Sequence, residues 1–401
     1  VTSSFIRTRE QLEAQEHSAL APYAVPSAAA EREHAEPAPR ERTHFQRDWH
    51  RITHSRAFRK LEYKTQVVVF GEGGEMGDVI RNRLTHTLEV SQVATSLCRA
   101  LGLNEDLASA IALAHDLGHT PFGHSGEEAL RKLVDQFNHN DHSLKIVRQL
   151  EQRYPQFPGL NLTKDTLAGI EKHDTPFDKT HTNHFQPGLG PSLEAQVASV
   201  ADEIAYHSHD VEDSLVTGYL SEADYRDAGL ALWNEVEEGL AGQAQPVRMA
   251  QVTRRLIDIL ARDVLAETAR RLEQAGVAAL DDVYGAQTVL VGFSPEMEAR
   301  KGGLRAFLFD RFYKSHRVLR GTVKGQMIIE RLFEHFNRKF DDHTAGWQLL
   351  PPDVQVHYKE AKLKQVDGLG REAKRIVADF IAGMTDREAY SLYVKLFEVG
   401  A

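Results

Sequence analysis

The sequence predicts an all-α protein. Apolar residues recur at helical spacing almost everywhere after Asp48, and residues that cap helices precede several of these runs. Only one short stretch, Thr288-Val289-Leu290-Val291-Gly292-Phe293, has strand character. The chain has 401 residues, 41% of them hydrophobic, which suffices for one or two domains with a sizeable core.

Residues 1–45 mix Ala, Pro, Glu and Arg, as in Ala35-Glu36-Pro37-Ala38-Pro39-Arg40, and carry few large apolar side chains. They read as an arm, either frayed or docked on a neighbouring subunit. Arg47 to Thr65 is a basic amphipathic segment running into Val67-Val68-Val69-Phe70. Arg56, Arg59, Lys60 and Lys64 form its basic face, expected to be mostly solvated. Gly71, Gly73, Gly74 and Gly77 then make a loop without the Lys-Ser/Thr of a phosphate-binding P-loop. Val79 to Leu101 places Ile80, Leu84, Leu88 and Leu97 on a helix. Asn104 caps a helix through Leu107, Ala110, Ile111 and Ala114 that stops at Gly118. Ser125-Gly126-Glu127-Glu128 fits a capping box that starts the next one. A loop spans Asp174 to Pro191, and a helix follows with Leu193, Val197, Val200, Ala201 and Ile204 on its apolar side. Ser221 caps another. Pro246 to Gly276 is a long amphipathic helix using Val252, Leu256, Ile259, Leu260 and Val264. Helices return at Met327 to Phe340, at Gly370 to Ala382, and after a cap at Thr385. The chain divides into the arm (1–45), a helical core (46–220) and a C-terminal helical region (221–401) that completes the pocket and supplies oligomer contacts.

The formal charge of -10 argues against indiscriminate nucleic-acid binding, while leaving room for a local basic pocket. Cys98 is the only cysteine, which excludes an intramolecular disulfide and a cysteine-based zinc cluster; its apolar helical context marks it as a packing residue. No apolar run approaches the ~20 residues that span a bilayer. With no signal-peptide apolar core at the N-terminus, a cytoplasmic protein is expected.

The twenty histidines cluster. His115-Asp116-Leu117-Gly118-His119-Thr120-Pro121-Phe122-Gly123-His124-Ser125-Gly126-Glu127 packs three histidines and two carboxylates into thirteen residues. An adjacent His-Asp pair offers an imidazole nitrogen and a carboxylate oxygen to one divalent ion. Two further ligands belong on neighbouring helices. His86 alone would read as a hydrogen-bonded core histidine, and Asp202 alone as a surface carboxylate. The order His86, His115-Asp116, Asp202 on three helices points instead to a metal site. Two imidazoles and two carboxylates suit manganese, iron, cobalt, nickel or zinc, with magnesium less natural at imidazole. His119, His124 and Glu127 suggest acid–base work beside that ion, since a Glu next to a His fixes its tautomer and raises its pKa. Asn138-His139-Asn140-Asp141-His142 is a second cluster, with His139 a candidate phosphate contact and His142 expected to be exposed. Tyr206 and Asp210 follow Asp202 on one helical face. His207 and His209 point elsewhere, toward the surface or behind the site. Arg83, one turn before His86, can reach a phosphate. His181 and His184, in the loop, are weak candidates. Such a set suits hydrolysis of a phosphate ester.

These residues resemble the HD superfamily of metal-dependent phosphohydrolases, and within it the bacterial dGTPase-like deoxynucleoside triphosphate triphosphohydrolases. The segments that carry the resemblance are FQRDWHRITHSRAFRKLEYKTQVVVF, RNRLTHTLEVSQVA, LNEDLASAIALAHDLGHTPFGHSGEEAL, HNDHSLKIV, LEAQVASVADEIAYHSHDVEDSL and RIVADFIAGMTDREA. The resemblance implies an HD-domain helical bundle with additional C-terminal helices and at most a short β element. It implies hydrolysis of a dNTP to deoxynucleoside and tripolyphosphate by water attack at the α-phosphorus. His86, His115, Asp116 and Asp202 match metal ligands, for manganese or magnesium in an assay. His124 and Glu127 match the catalytic pair, with His119 and His139 near the phosphates. Gln66 and Asp210 match residues that hold the sugar 3′-hydroxyl, and Tyr206 the ring that packs on the deoxyribose. It further implies a homo-oligomer, tetramer or hexamer, with a dNTP activator. Val79 and Ile80 stand where related chains often have polar residues, and His142 where Gln is usual. Competing readings are another HD phosphohydrolase, such as a 5′-nucleotidase or alarmone hydrolase, and a non-catalytic nucleotide sensor or nucleic-acid-binding regulator. Tyr206 and Asp210 argue against the first, and the acidity and the acid–base pair against the second.

Overall fold

The computed structural model describes residues 5–67, 80–173, 184–339, 344–363 and 371–398. Among these residues the regular structure is helical, and β pairing is limited to isolated bridges such as Thr65 with Asn82. The first half contains α1 (Arg9–Ala19), α2 (His44–Thr53), α3 (Arg56–Lys60), α4 (Arg83–Leu101), α5 (Glu105–Ala114), α6 (His124–Leu133), α7 (His139–Lys145), α8 (Lys164–Glu171) and α9 (Leu193–Val216). The second half contains α10 (Glu222–Asp227), α11 (Ala231–Glu237), α12 (Gln245–Ala275), α13 (Leu280–Tyr284), α14 (Pro295–Leu308), α15 (His316–Asn337), α16 (Pro352–Leu363), α17 (Arg371–Ala382) and α18 (Asp386–Phe397).

α4, α5 and α9 pack together at the centre, because each is apolar over more than one face. On α5 every residue from Leu107 to Ala114 is buried, as expected of a helix surrounded by others. Local chemistry sets the ends of these helices. The side chains of Asn82, Asn104 and Ser192 accept the first free backbone N–H groups of α4, α5 and α9. Gly102, at φ +69°, ends α4 in the left-handed conformation. α12 covers α9 with Val252, Leu256, Leu260 and Val264, and the resulting core also holds Cys98. Full burial of one such aliphatic side chain contributes roughly 1.5–3 kcal/mol. A second apolar cluster joins α6 to α15, α17 and α18 through Leu130, Phe137, Ile329, Phe333, Val377 and Ile381.

Several expectations change. Residues 1–45 were read as standing apart from the core, yet Ala24 and Val25 belong to it. The Val25 N–H donates to Glu194 Oε1 (2.9 Å) on α9, and Arg51 pairs with both carboxylate oxygens of Glu36 (2.7 and 2.6 Å). Thr288–Phe293 is not a strand. The N–H groups of Leu290 and Val291 are taken by Gln196 Oε1 (2.8 and 3.0 Å), and among the described residues the stretch makes no β pairing. α6 starts at His124 with Gly123 as its cap, without the capping box expected at Ser125. α4 starts at Arg83, and Leu88 on it is exposed. His142 is fully buried where exposure was expected, and of the two places open to His207 and His209 the fold gives both the interior, since α7 and α9 are enclosed by neighbouring helices. The last α15 residue is Asn337. Phe340, Val68 to Val79 with its glycines, and Asp174 to Asn183 with His181 lie outside the described residues.

Candidate metal centre and acid–base cluster

The three central helices bring four separated side chains to one point. His86 comes from α4, His115 and Asp116 from the end of α5, and Asp202 from α9. His86 Nε2 lies 2.9 Å from Asp202 Oδ1 and 3.8 Å from Asp116 Oδ2. His115 Nε2 lies 3.3 Å from Asp116 Oδ1 and 3.7 Å from Asp202 Oδ1. Burial by itself would raise both carboxyl pKa values. It is outweighed by His115, Arg83 and His119 around Asp116, and by His115, His173 and His86 around Asp202, so both groups stay well below the usual carboxylate range.

The hydrogen bonds behind the imidazoles decide what they present. His115 Nδ1 lies 2.6 Å from the Ala112 carbonyl oxygen, which can only accept, so the proton sits on Nδ1 and Nε2 carries a lone pair. That buried Nε2 has no hydrogen-bond partner. His86 Nδ1 meets His209 Nδ1 at 3.1 Å, and His209 Nε2 meets the Glu89 carboxylate. The consistent assignment is His209 Nε2–H donating to Glu89 and His86 Nδ1–H donating to His209. It leaves the His86 Nε2 lone pair facing Asp202. Two lone pairs aimed at two carboxylates repel one another unless a cation lies among them. These residues therefore fit a divalent ion, and the buried, unpartnered Nε2 of His115 is the observation that says so.

Sequence reasoning missed the supports. Glu89, one turn after His86, also pairs with Arg81, and burial of Glu89 is overcome by His209 and Arg81 so that its pKa falls to about 2. His173, just past the end of α8, faces Asp202 Oδ2 with its Nε2 at 3.5 Å, and its ring lies 4.9 Å from that of His115. The only signal for His173 was a lone histidine before a polar loop.

The second group stands at the start of α6. Glu127 is buried and accepts from the His139 backbone N–H (3.2 Å), His139 Nδ1 (2.9 Å) and Arg131 (2.9 Å). Burial opposes its ionisation, but His139 and His124 outweigh it and hold its pKa well below the ordinary value. His124 Nδ1 lies 3.6 Å from Glu127, and 60% of the His124 side chain is exposed. His119 stacks on His139 (ring centroids 3.8 Å apart) and points Nε2 at Asp116 Oδ1 (3.0 Å). Burial, then Arg83 and His139, push His119 well below its usual pKa, so it is a neutral donor to an ionised Asp116. Arg83 Nη1 also donates to Asp116 (2.9 Å), while its Nε and Nη2 are buried without partners. Lys64, expected among the solvated basic residues, is buried with Nζ on the carbonyls of His119 and Ala382, and burial lowers its pKa to about 7.

Close backbone packing makes this geometry possible. A Cβ on Gly118 would sit 2.1 Å from the His139 carbonyl oxygen and 2.3 Å from Ser143 N, so only glycine lets α7 approach the His-Asp turn. Gly123, at φ +59°, faces the Thr65 carbonyl and Arg83 Nη2. Gln66 lies beside this glycine, and its buried Oε1 has no partner. Farther along α9, Tyr206 and Asp210 meet Tyr313, which the sequence did not single out. Tyr313 comes from a π-helical turn (Phe309–Tyr313); its hydroxyl lies 2.7 Å from Tyr206 Oη and meets Asp210 Oδ2, where it can donate its single proton to the carboxylate. Burial pushes the Asp210 carboxyl up to about 8 against that contact. His184 is exposed and its backbone N–H is held by Glu171 Oε1 (2.6 Å), so it takes no part in either cluster.

A helical bundle presenting a His, His-Asp, Asp centre defines an HD-domain hydrolase. The HD domain family matches residues 83–207, and the phosphohydrolase-associated domain family matches residues 291–395. A deoxyguanosinetriphosphate triphosphohydrolase-like protein of Geobacter sulfurreducens is 43% identical over 97% of this chain and 98% of its own length. Proteins of the same description from Geobacter metallireducens (42% identical, covering 96% of each chain) and an Azoarcus species (44% identical, covering 95% of this chain and 97% of its own) agree. The chain belongs to the deoxyguanosinetriphosphate triphosphohydrolase-like family of HD-domain proteins. No helix among the described residues is long and apolar enough to cross a membrane.

Proposed function

We propose that this protein is a deoxynucleoside triphosphate triphosphohydrolase. Its substrates are dNTPs, dGTP among them, and its products the deoxynucleoside and tripolyphosphate. The carrying observation is the His115 Nε2 lone pair, buried without a partner and facing two carboxylates, beside the His124–Glu127 pair. In this reading His86, His115, Asp116 and Asp202 hold a divalent ion, manganese or magnesium in an assay; iron, cobalt and nickel also suit the donors. When bound, such an ion would polarise a phosphoryl oxygen or lower the pKa of water.

The protein's own groups do the rest. The unpartnered Nε and Nη2 of Arg83 offer donors to the phosphates, with the His119 and His139 rings beside them. Water adds to the α-phosphorus while the bond to the 5′-oxygen breaks, and that oxygen needs a proton. Glu127 holds His124 through Nδ1, and the half-exposed ring can deliver that proton and recover it from solvent. Gln66 and Asp210 hold the 3′-hydroxyl, and Tyr206 packs against the sugar face where a 2′-hydroxyl would lie. The assembly is a homo-oligomer, tetramer or hexamer, stimulated by a second dNTP.

The test is product identification with each of the four dNTPs and matching rNTPs in manganese and in magnesium. Deoxynucleoside and tripolyphosphate in equal amounts, with little rNTP turnover, are expected. Release of monophosphate or pyrophosphate instead sinks the reading. Sedimentation with and without a second dNTP tests the assembly and its activation.

A further inference from the structure

We infer that His173 is a further protein ligand of the metal, a third imidazole beside His86 and His115. This inference rests on the metal-centre reading above and adds to it. The residue follows α8 directly and is buried. Its Nδ1 lies 3.2 Å from Ser199 Oγ. The same hydroxyl is placed to donate to the Ala195 carbonyl (3.3 Å), the ordinary back-bond of a helical serine, and in that orientation its oxygen can accept from the His173 Nδ1–H. His173 Nε2 then carries a lone pair, and it has no hydrogen-bond partner. It faces Asp202 Oδ2 at 3.5 Å. The other Asp202 oxygen faces His86 and His115. A third ring is thus arranged as the first two are, with Nδ1 tied back to the fold and Nε2 turned on a carboxylate that cannot donate.

Two sets of ligand atoms lie within 4.8 Å of one another: His86 with His115 and Asp116, and His115 with His173 and Asp202. His115 belongs to both, and its one Nε2 lone pair serves one ion. Two ions cannot both use it, and the His86–Asp202 contact (2.9 Å) links the sets, so the five side chains are assigned to one centre with up to five protein donors. Three imidazoles and two carboxylates shift the preference toward manganese and later transition metals and away from magnesium. On a six-coordinate ion they leave one place for a substrate oxygen or water, not two.

The test counts nitrogens on the bound ion. Metal-free protein is loaded with Mn(II) alone, and pulsed electron paramagnetic resonance reads the number of coupled imidazoles. Three are expected in the wild type and two in His173→Gln and His173→Ala. Calorimetry should show Mn(II) affinity falling about 10–100-fold in both variants, with magnesium affinity falling less. Two imidazoles in the wild type overturn the inference without help from any variant. Unchanged affinity and nitrogen count in a folded His173→Gln also overturn it. If the wild type takes up no Mn(II), the underlying metal-centre reading falls as well; binding through two imidazoles removes only His173.

Discussion

At the scale of single residues, the candidate centre turns on which nitrogen bears the proton. A neutral histidine held at Nδ1 by a carbonyl carries a lone pair at Nε2, and the Ala112 carbonyl sets His115 in that tautomer. His124 differs in being exposed and held only loosely by Glu127. His124→Ala should therefore bind Mn(II) as the wild type does while kcat falls ~10²-fold or more; equal turnover would remove it from the mechanism. Glu194 gives a pH prediction remote from the chemistry. It is fully buried, and burial raises its pKa to about 7 even though the backbone N–H groups of Val25 and Asn104 donate to Oε1. The folded state then keeps a proton that the unfolded chain gives up above its ordinary value of 4.5. Stability from this group is full below that value and is lost as pH rises toward 7. Glu194→Gln keeps the oxygen that accepts both bonds and removes the titration. Its unfolding free energy should gain on the wild type as pH climbs from 5 to 7, by at most ~1.4 kcal/mol per pH unit. A constant difference across that range would refute the assignment.

At the scale of elements, α6 is where the two halves of the chain meet. His124 and Glu127 stand on its first turn, while Ala129, Leu130 and the following Val134 pack into the C-terminal cluster of α15, α17 and α18. The turn before α6 is strained, with Phe122 at φ +62°. Asp386, the first residue of α18, holds that turn: Oδ1 accepts the Phe122 N–H (2.8 Å) and Oδ2 the Thr65 N–H (3.1 Å). Asp386→Ala leaves these two buried N–H groups unpaired, together with the Thr65 hydroxyl that also donates to Oδ2, at roughly 1–3 kcal/mol each. We expect a lowered Tm and a kcat that falls with it, because His124 loses its support; Asp386→Asn, which keeps one acceptor, should recover part of both. An unchanged kcat in a destabilised Asp386→Ala would separate α18 from the site. The C-terminal helices thus hold the acid–base helix in place rather than merely enlarging the fold.

At the scale of the whole molecule, the candidate centre ties α4, α5 and α9 together at the middle of the bundle. Without a cation, its carboxylates and lone pairs face one another unfavourably. Metal binding should therefore be a folding term as well as a catalytic one. Chelation should lower Tm, and free Mn(II) at 100 times its Kd should restore about 2.7 kcal/mol. A melting curve indifferent to chelator and Mn(II) would mean that the four side chains are held together by something other than an ion.

Helix positions and the His-Asp run were legible in the sequence because both are local. Periodicity and capping at Asn104, Ser221 and Thr385 need only neighbouring residues, and so does the adjacency of His115 with Asp116. The isolated apolar stretch at 288–293 misled for the same reason: β propensity is local, but a strand needs a partner that only the fold supplies, and Gln196 took its N–H groups first. Likewise, no spacing rule joins Glu89 to His209, Tyr313 to Asp210, or His173 to Asp202. The sequence by itself determined the helical class, the residue types of the centre and the chemistry they suit. Tertiary structure alone decided which distant side chains stand behind each imidazole, because a proton's place on a ring is set by contact in space, and contact between helices far apart in the chain leaves no local trace.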